Sequence, residues 1–142
     1  MRPEELIDLI KTYLETHNHE LGFKYFSFGD GQLVPRYPAC LIVHDGVARD
    51  LHGTHYFLTD LSVQIVVMHA DMSLNRQERT KADLELATAV VGLIHNKGLT
   101  LADPRIHKAF VYTEEPVTIA TDNITAIGTG LTVVASVREA FK

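Results

Sequence analysis

Apolar and polar residues alternate along a long stretch of the chain that runs from Tyr56 to His69. The positions on one side of this stretch are apolar, namely Phe57, Leu61, Val63, Ile65 and Val67. A period of two is typical of a β-strand with one buried face. Such a strand would be roughly 45 Å long, whereas a compact chain of this length is only about 35 to 40 Å across. We therefore expect the strand to overhang its own domain or to bend.

The period changes to 3.6 residues after this strand, which predicts a long helix from Asn75 to Asn96. Asn75 can cap the helix while Glu78 reaches back, and Gly98 suits its end. Its apolar stripe consists of Leu84, Ala87, Val90, Val91 and Ile94, widened by Ala82, Leu86, Ala89 and Leu93. The resulting arc is roughly 220° wide, and one sheet face covers only about half of it. Either an N-terminal helix or another subunit must cover the remainder.

The other segments complete an α+β pattern. A second amphipathic helix is predicted over Pro3–Asn18, and Leu99–Pro104 is interpreted as a connector. Further strands are predicted over Gly22–Phe28, Ala39–His44, Ile106–Glu115 and Ile127–Val137. Pro116 lacks the amide donor of a sheet ladder, so it indicates an edge strand or a bulge. This order predicts one domain over residues 1–142, with a mainly antiparallel sheet and two helices packed on one face.

The polar segment Asp45–Thr54 separates two of the predicted strands. We interpret Ala39–Met68 as a long protruding β-hairpin with an exposed tip, and such tips often contact other molecules. The candidate self-assembly or partner contacts are Gly46, Val47, Asp50, Leu51, His52, Tyr56, Leu86 and Leu93. Packing against the first helix is the alternative interpretation of the two helix leucines.

Composition limits the possible functions. The net charge of −5 argues against general nucleic-acid binding, since that affinity comes mostly from Lys and Arg. The single Cys40 excludes an internal disulfide and a cysteine-based zinc site, and its apolar neighbours predict a buried thiol with a raised pKa. No segment resembles a signal peptide or approaches the roughly 20 apolar residues of a membrane span. The simplest expectation is a protein made in the cytoplasm.

Few residues suggest chemistry. His52 and His55 can join Asp50 around a metal, but loop histidines of this spacing are more often solvated. His69 and His107 can meet across the sheet if their strands pair suitably. The chain has no GxSxG elbow and no glycine-rich phosphate loop.

Two pairs of carboxylates, Glu114 with Glu115 and Asp83 with Glu85, are interpreted as solvated. The sequence therefore predicts no catalytic residue, no cofactor site and no metal site, and we do not expect an enzyme.

The layout of these segments resembles the tail terminator, or tail completion, proteins of long-tailed bacteriophages. The resemblance rests on the helix at Glu4–Ile10, the proline-led strand Tyr37–Val43, the strand Leu61–Val67, the helix Ala82–His95 and the closing strand Leu131–Val137. It covers nearly the whole chain, and it brings no catalytic residues with it.

The resemblance implies a structural virion protein of the tail neck. It would form a ring, usually hexameric, that caps the tail tube, stops its polymerisation and docks to the head-tail connector. DNA would pass through the lumen without specific binding. Two other classes stay open: another connector or tube subunit of the same virion, and a small ligand- or metal-binding α+β domain.

Overall fold

The computed structural model describes residues 1–28, 37–51, 56–70, 76–95, 98–120 and 125–140. Its helices are α1 (Pro3–Thr16), α2 (Asn18–Leu21), α3 (Arg76–His95) and α4 (Gly98–Ala102). Its strands are β1 (Tyr25–Phe28), β2 (Ala39–Leu51), β3 (Tyr56–Ala70), β4 (Ile106–Ala120) and β5 (Thr125–Ala140). The predicted α+β class is confirmed.

The five strands form one sheet in the order β1-β2-β3-β5-β4. The pair formed by β1 and β2 is parallel, and the other neighbours are antiparallel, so the sheet is mixed. The central strand β3 agrees with the alternating pattern of the sequence. It pairs with β5 from Tyr56 to Ala70, while β2 pairs with it on the other side. The long strand is therefore not one arm of an isolated two-stranded hairpin, because β5 accompanies it to its far end.

The main core lies between the helices and one face of the sheet. Its sheet side consists of alternate residues of β3 and β5, namely Leu61, Val63, Ile65, Val67, Leu131, Val133, Ala135 and Val137. Its helix side includes Leu6, Ile10 and Leu14 of α1, Val90 and Ile94 of α3, and Leu99 of α4. All of these side chains are almost completely buried. The period of two in the strands and of 3.6 in the helices places these apolar groups together.

A second, smaller cluster lies on the opposite face of the sheet. Leu41, Val66 and Met68 are buried there, and they pack against Tyr25, Tyr37 and Val117. This cluster explains why β3 carries apolar residues on both sides at its C-terminal end. The same face is more polar towards the other end of β3, where Ser62 and Gln64 are partly exposed.

Several predicted strand boundaries were wrong. β1 begins at Tyr25 rather than Gly22, and β4 continues through Pro116 to Ala120 rather than ending at Glu115. β2 does not end at His44 but continues to Leu51, because a bulge between His44 and Gly46 restores its pairing with β3. Gly46 adopts a φ of 150° at this bulge, a conformation that favours glycine. Much of the predicted polar tip is therefore strand.

Two further corrections concern helices. The predicted connector begins with the short helix α4, which buries Leu99 completely. The first helix ends at Thr16 rather than Asn18, because the Asn18 side chain bonds the backbone N–H and C=O of Phe23. Asn18 is the first residue of the short helix α2, so its side chain bonds to the backbone just beyond the end of that helix.

The buried stripe of α3 also differs from the prediction. Its members are Asp83, Ala87, Val90 and Ile94, whereas the side chain of Leu84 is 54% exposed. Asp83 tolerates this position because its carboxylate oxygens have hydrogen-bond partners on the sheet. Within the described residues, no helix is long and apolar enough to cross a membrane.

Candidate functional site

One edge of the sheet is open along the second half of β2. The short strand β1 pairs with β2 only from Ala39 to Ile42. From Val43 to Leu51, no strand in the described part of the chain pairs with the outer edge of β2. The bulge at Gly46 lies within this open stretch, and the side chain of Val47 is 38% exposed. An edge of this kind presents backbone groups that can pair with another strand.

The opposite edge of the sheet is formed by β4. Within the described ranges its outer side has no strand partner along its length. Pro116 lies in this edge strand, as its missing amide donor predicted. Tyr112 is 69% exposed on the same strand. The register of β4 against β5 shifts between Ile106 and Lys108 and again between Val111 and Thr113.

One backbone amide of this edge is already occupied. The N–H of Val111 donates to Nε2 of His95, the last residue of α3, over 3.0 Å. The N–H of Val111 therefore points away from β5 and towards the outside of the sheet. Side chains that cover edge amides are a common protection against unwanted pairing.

The described hairpin residues predicted as contacts lie in the open stretch of β2 and at the start of β3. Gly46 forms the bulge and Val47 is exposed just after it. Asp50 and Leu51 continue β2, and Tyr56 begins β3, where the structure describes the backbone and not the side chains. His52 lies outside the described residues, as does His55. The contact prediction for these residues stays a prediction.

The two helix leucines pack within their own chain. Leu86 and Leu93 are partly buried and lie against the main core. The hydroxyl of Tyr13 in α1 donates to the backbone C=O of Leu93 over 2.8 Å, which ties the first helix to α3. Burial also raises the pKa of this tyrosine. The alternative interpretation of the two leucines, packing inside the subunit, thus describes their surroundings.

A buried polar network that the sequence pattern did not predict lies at one end of the helix layer. Asp83 accepts a hydrogen bond of 2.7 Å from the Thr129 hydroxyl, and its other carboxylate oxygen lies 3.1 Å from Nδ1 of His69. Asp83 and Thr129 are both buried, so the interpretation of Asp83 as a solvated carboxylate was wrong. Its spacing was the available signal, because residues 83, 87, 90 and 94 follow the helical repeat.

His69 and His107, which can meet only if their strands pair suitably, do not meet across the sheet. His69 pairs with Ile127 of β5, and Ile127 pairs in turn with Thr118 of β4. His107 lies near the other end of β4, beside Ile106. The partner of His69 is therefore a helix carboxylate rather than a second imidazole.

His69 opens onto a cleft of about 300 Å³. The cleft is lined by Glu20, Leu21, Pro38, His69, Ala82, Glu85, Leu86 and Ala89. The described residues of its walls offer two exposed carboxylates, one imidazole and several apolar groups, and none of them is a cysteine or serine. The hydroxyl of Thr129 is engaged by Asp83. No cluster of three or more metal-ligating side chains occurs among the described residues.

Cys40 is fully buried in the main core, and its burial raises the pKa of the thiol. The predicted structural role of this cysteine agrees with its surroundings. A buried thiol with a raised pKa is a poor nucleophile.

No model of a known protein family matches this chain, and no curated protein sequence matches it either. Among the described residues, the two open sheet edges and the cleft beside His69 are surfaces that can bind another molecule.

Proposed function

We propose that this chain is a tail terminator subunit of a long-tailed bacteriophage. Copies of it would form a ring, hexameric by resemblance, that caps the tail tube, stops its polymerisation and docks to the head-tail connector. Its place would be the virion neck. The observation that supports a ring is that, among the described residues, the sheet has two open edges on opposite sides, at β2 and at β4.

Two different edges favour a head-to-tail interface. When unlike surfaces on opposite sides of a subunit join, each copy keeps one free surface for the next copy. Such a chain of subunits ends only when the rotation between neighbours closes it into a ring. If only one edge were open, two copies could pair with each other and assembly would stop at a dimer.

The charge of the chain suits a ring through which DNA passes. The net charge of −5 leaves the subunit without the excess of Lys and Arg that binds phosphates. The partners of the proposed ring are then other copies, the tail tube protein and the connector protein. The candidate contacts at the hairpin tip belong to this proposal, since Gly46, Val47, Asp50 and Leu51 lie in the open stretch of β2.

Tail length tests the proposed function most specifically. Tails would be assembled in cells with and without this chain and measured by negative-stain electron microscopy. We expect tails of uniform length when the chain is present and overlong tails when it is missing. Tails of normal length that fail to join heads would instead favour the alternative of a connector subunit, and loss of tails altogether would favour a tube subunit.

The second candidate function is a small ligand- or metal-binding domain, and the cleft beside His69 favours its ligand-binding form. This cleft has the size of a small-molecule site and combines apolar walls with a few polar groups. Titration of the purified protein with Zn²⁺, followed by isothermal calorimetry, tests the metal form of this candidate. Stoichiometric binding to a protein that stays monomeric would favour it over the ring.

A further inference from the structure

The open stretches of β2 and β4 lie at the same height along the sheet. Through the strand pairs, Val47 of β2 is opposite Leu61, Leu61 is opposite Ala135, and Ala135 is opposite Ala109 of β4. The neighbouring rows connect Gly46 with Phe110 and Ala48 with Lys108 in the same way, through Ser62 with Val134 and Asp60 with Ser136. The pairing of 108–111 with β5 and of 46–51 with β3 is free of register shifts. Both edges therefore offer a regular stretch at this height.

The directions of these strands are also compatible. β3 runs against β2, β5 runs against β3, and β4 runs against β5, so β4 runs against β2. Rotation about an axis along the strands leaves every copy in the same orientation. The β4 strand of one copy would then lie antiparallel to the β2 strand of the next copy, which is the more stable kind of pairing.

The bond between Val111 and His95 fixes which backbone groups are available. In an antiparallel ladder, the N–H and C=O of successive residues point alternately towards and away from the partner strand. Because the backbone N–H of Val111 points outward, the N–H and C=O of Ala109, two residues earlier, also point outward. Along the row from Ala109 through Ala135 and Leu61, the same alternation directs the N–H and C=O of Val47 outward. The two open edges thus present their donors and acceptors in the same row.

The side chains of this row share one face of the sheet. Leu61 and Ala135 belong to the main core, so Val47 and Ala109 project on the helix side. Pairing in this row would bring the exposed Val47 beside the partly buried Ala109 and remove apolar surface from water. A shift by one residue would place these groups on opposite faces, so the register is well defined.

We infer that copies of this chain join by antiparallel pairing of Gly46–Ala48 in β2 with Lys108–Phe110 in β4 of the next copy, with Val47 opposite Ala109. The inference rests on the proposed ring and names its interface. His95 marks one end of the paired segment, because its imidazole already accepts the hydrogen bond of the Val111 N–H. The paired sheets would form one continuous sheet around the ring.

Disulfide cross-linking between two singly substituted proteins tests this interface. Val47→Cys and Ala109→Cys would be purified separately under reducing conditions, unfolded, refolded alone or as a mixture so that their subunits can combine, and then oxidised. Opposite residues of an antiparallel pair have Cα atoms about 5.5 Å apart, within the range that a disulfide bridges. We expect covalent dimers in the mixture and none in either protein alone. The native Cys40 is fully buried in every sample and serves as the common background.

The matched control uses Phe110→Cys in place of Ala109→Cys. The side chain at position 110 projects on the other face of the sheet from the side chain at position 109. The mixture of Val47→Cys with Phe110→Cys should give no dimer. Dimers of Ala109→Cys or Val47→Cys alone would overturn the inference, because they indicate that like edges pair. A mixture without any cross-link would overturn it as well.

The failure of this interface and the failure of the tail role are distinguishable. If tails become overlong without the chain but no cross-link forms, the role stands and the interface is wrong. If the cross-link forms but tail length does not depend on the chain, the interface stands and the tail role is wrong.

Discussion

Asp83 shows how a single residue can change the interpretation of an element. Its carboxylate is buried on the sheet side of α3, where an apolar stripe of the helix would otherwise place an aliphatic side chain. Hydrogen bonding to Thr129 and the nearby His69 imidazole offset the cost of this burial. The carboxylate thus joins α3 to β3 and β5 at the end of the core.

We predict that Asp83→Ala destabilises the fold. The substitution leaves the buried Thr129 hydroxyl without its acceptor, which costs roughly 1–3 kcal/mol. The free energy of unfolding from urea denaturation measures this effect. Glu85→Ala is the control, because Glu85 is exposed on the same helix, and it should change the stability by less than about 0.5 kcal/mol. Equal stability of both variants would contradict the structural role of Asp83.

Two glycines provide a second prediction at the scale of residues. A Cβ atom at Gly128 would overlap the backbone C=O of Val67, whereas a Cβ atom at Gly92 would meet nothing within 4 Å. Gly128→Ala should destabilise the protein by about 1–3 kcal/mol, since the backbone of β3 cannot move aside. Gly92→Ala should stabilise it by about 0.5–1 kcal/mol, because alanine suits a helix interior better. Thermal unfolding of the two variants measures both effects, and a Gly128→Ala variant as stable as the unmodified chain would contradict the close approach of β3 and β5.

The individual residues also show what a sequence pattern can predict. The burial of Cys40 and the edge position of Pro116 follow from local rules about apolar runs and missing amide donors. The partner of His69 does not follow, because it depends on how α3 is placed over two strands that are distant in sequence. The same reason explains why Asp83 was interpreted as a solvated residue.

At the scale of elements, strong periodicity predicted the type of each long segment, whereas the boundaries depended on tertiary contacts. The alternation of β3 and β5 and the amphipathic pattern of α1 identify the elements correctly. The extension of β2 past His44 was missed because a bulge at Gly46 hides the continued pairing with β3. Helix α4 was missed because its five residues are too few to show a helical repeat.

A cluster of charges connects helix α1 with the segment between α4 and β4. The Arg105 guanidinium lies 2.8 Å from Oδ2 of Asp103 and 3.1 Å from Oε2 of Glu5 in α1. Hydrogen bonds from Arg105 lower the pKa of Asp103, and a hydrogen bond from Arg2 together with the charge of Arg105 lowers the pKa of Glu5. Both carboxylates are thus more acidic in the folded chain than in the unfolded chain.

We predict that this cluster makes stability depend on acid pH. A carboxylate with a lowered folded-state pKa contributes stability above its unfolded pKa of about 4 and loses it as the pH falls further. Arg105→Gln should therefore reduce stability at neutral pH, and the difference from the unmodified chain should shrink below about pH 4. Urea denaturation across this pH range measures the effect. The control is Lys81→Gln, which removes an exposed charge of α3, and a pH dependence shared by both variants would contradict the prediction.

At the scale of the whole molecule, the sheet determines what the chain can assemble into. Strands β3 and β5 are paired on both sides, and the helix face of the sheet is covered by α1, α3 and α4. In the described part, the outer sides of β4 and of β2 beyond Ile42 have no strand partner. The sequence predicted surplus surface at the hairpin and at the helix leucines. In the described part of the structure, the surplus surface consists instead of backbone N–H and C=O groups along the outer sides of β2 and β4. No periodicity of side chains can indicate such groups.

The mass of the purified protein in solution tests the account most directly. Light scattering coupled to size-exclusion chromatography would be recorded over a range of concentrations for the unmodified chain and for Val47→Pro. The proline removes an outward amide donor at the open edge of β2, and edge strands tolerate proline. We predict a discrete multiple of 15.8 kDa for the unmodified chain, and smaller species for the proline variant. An unmodified chain that stays at 15.8 kDa at every concentration would contradict self-assembly into a ring.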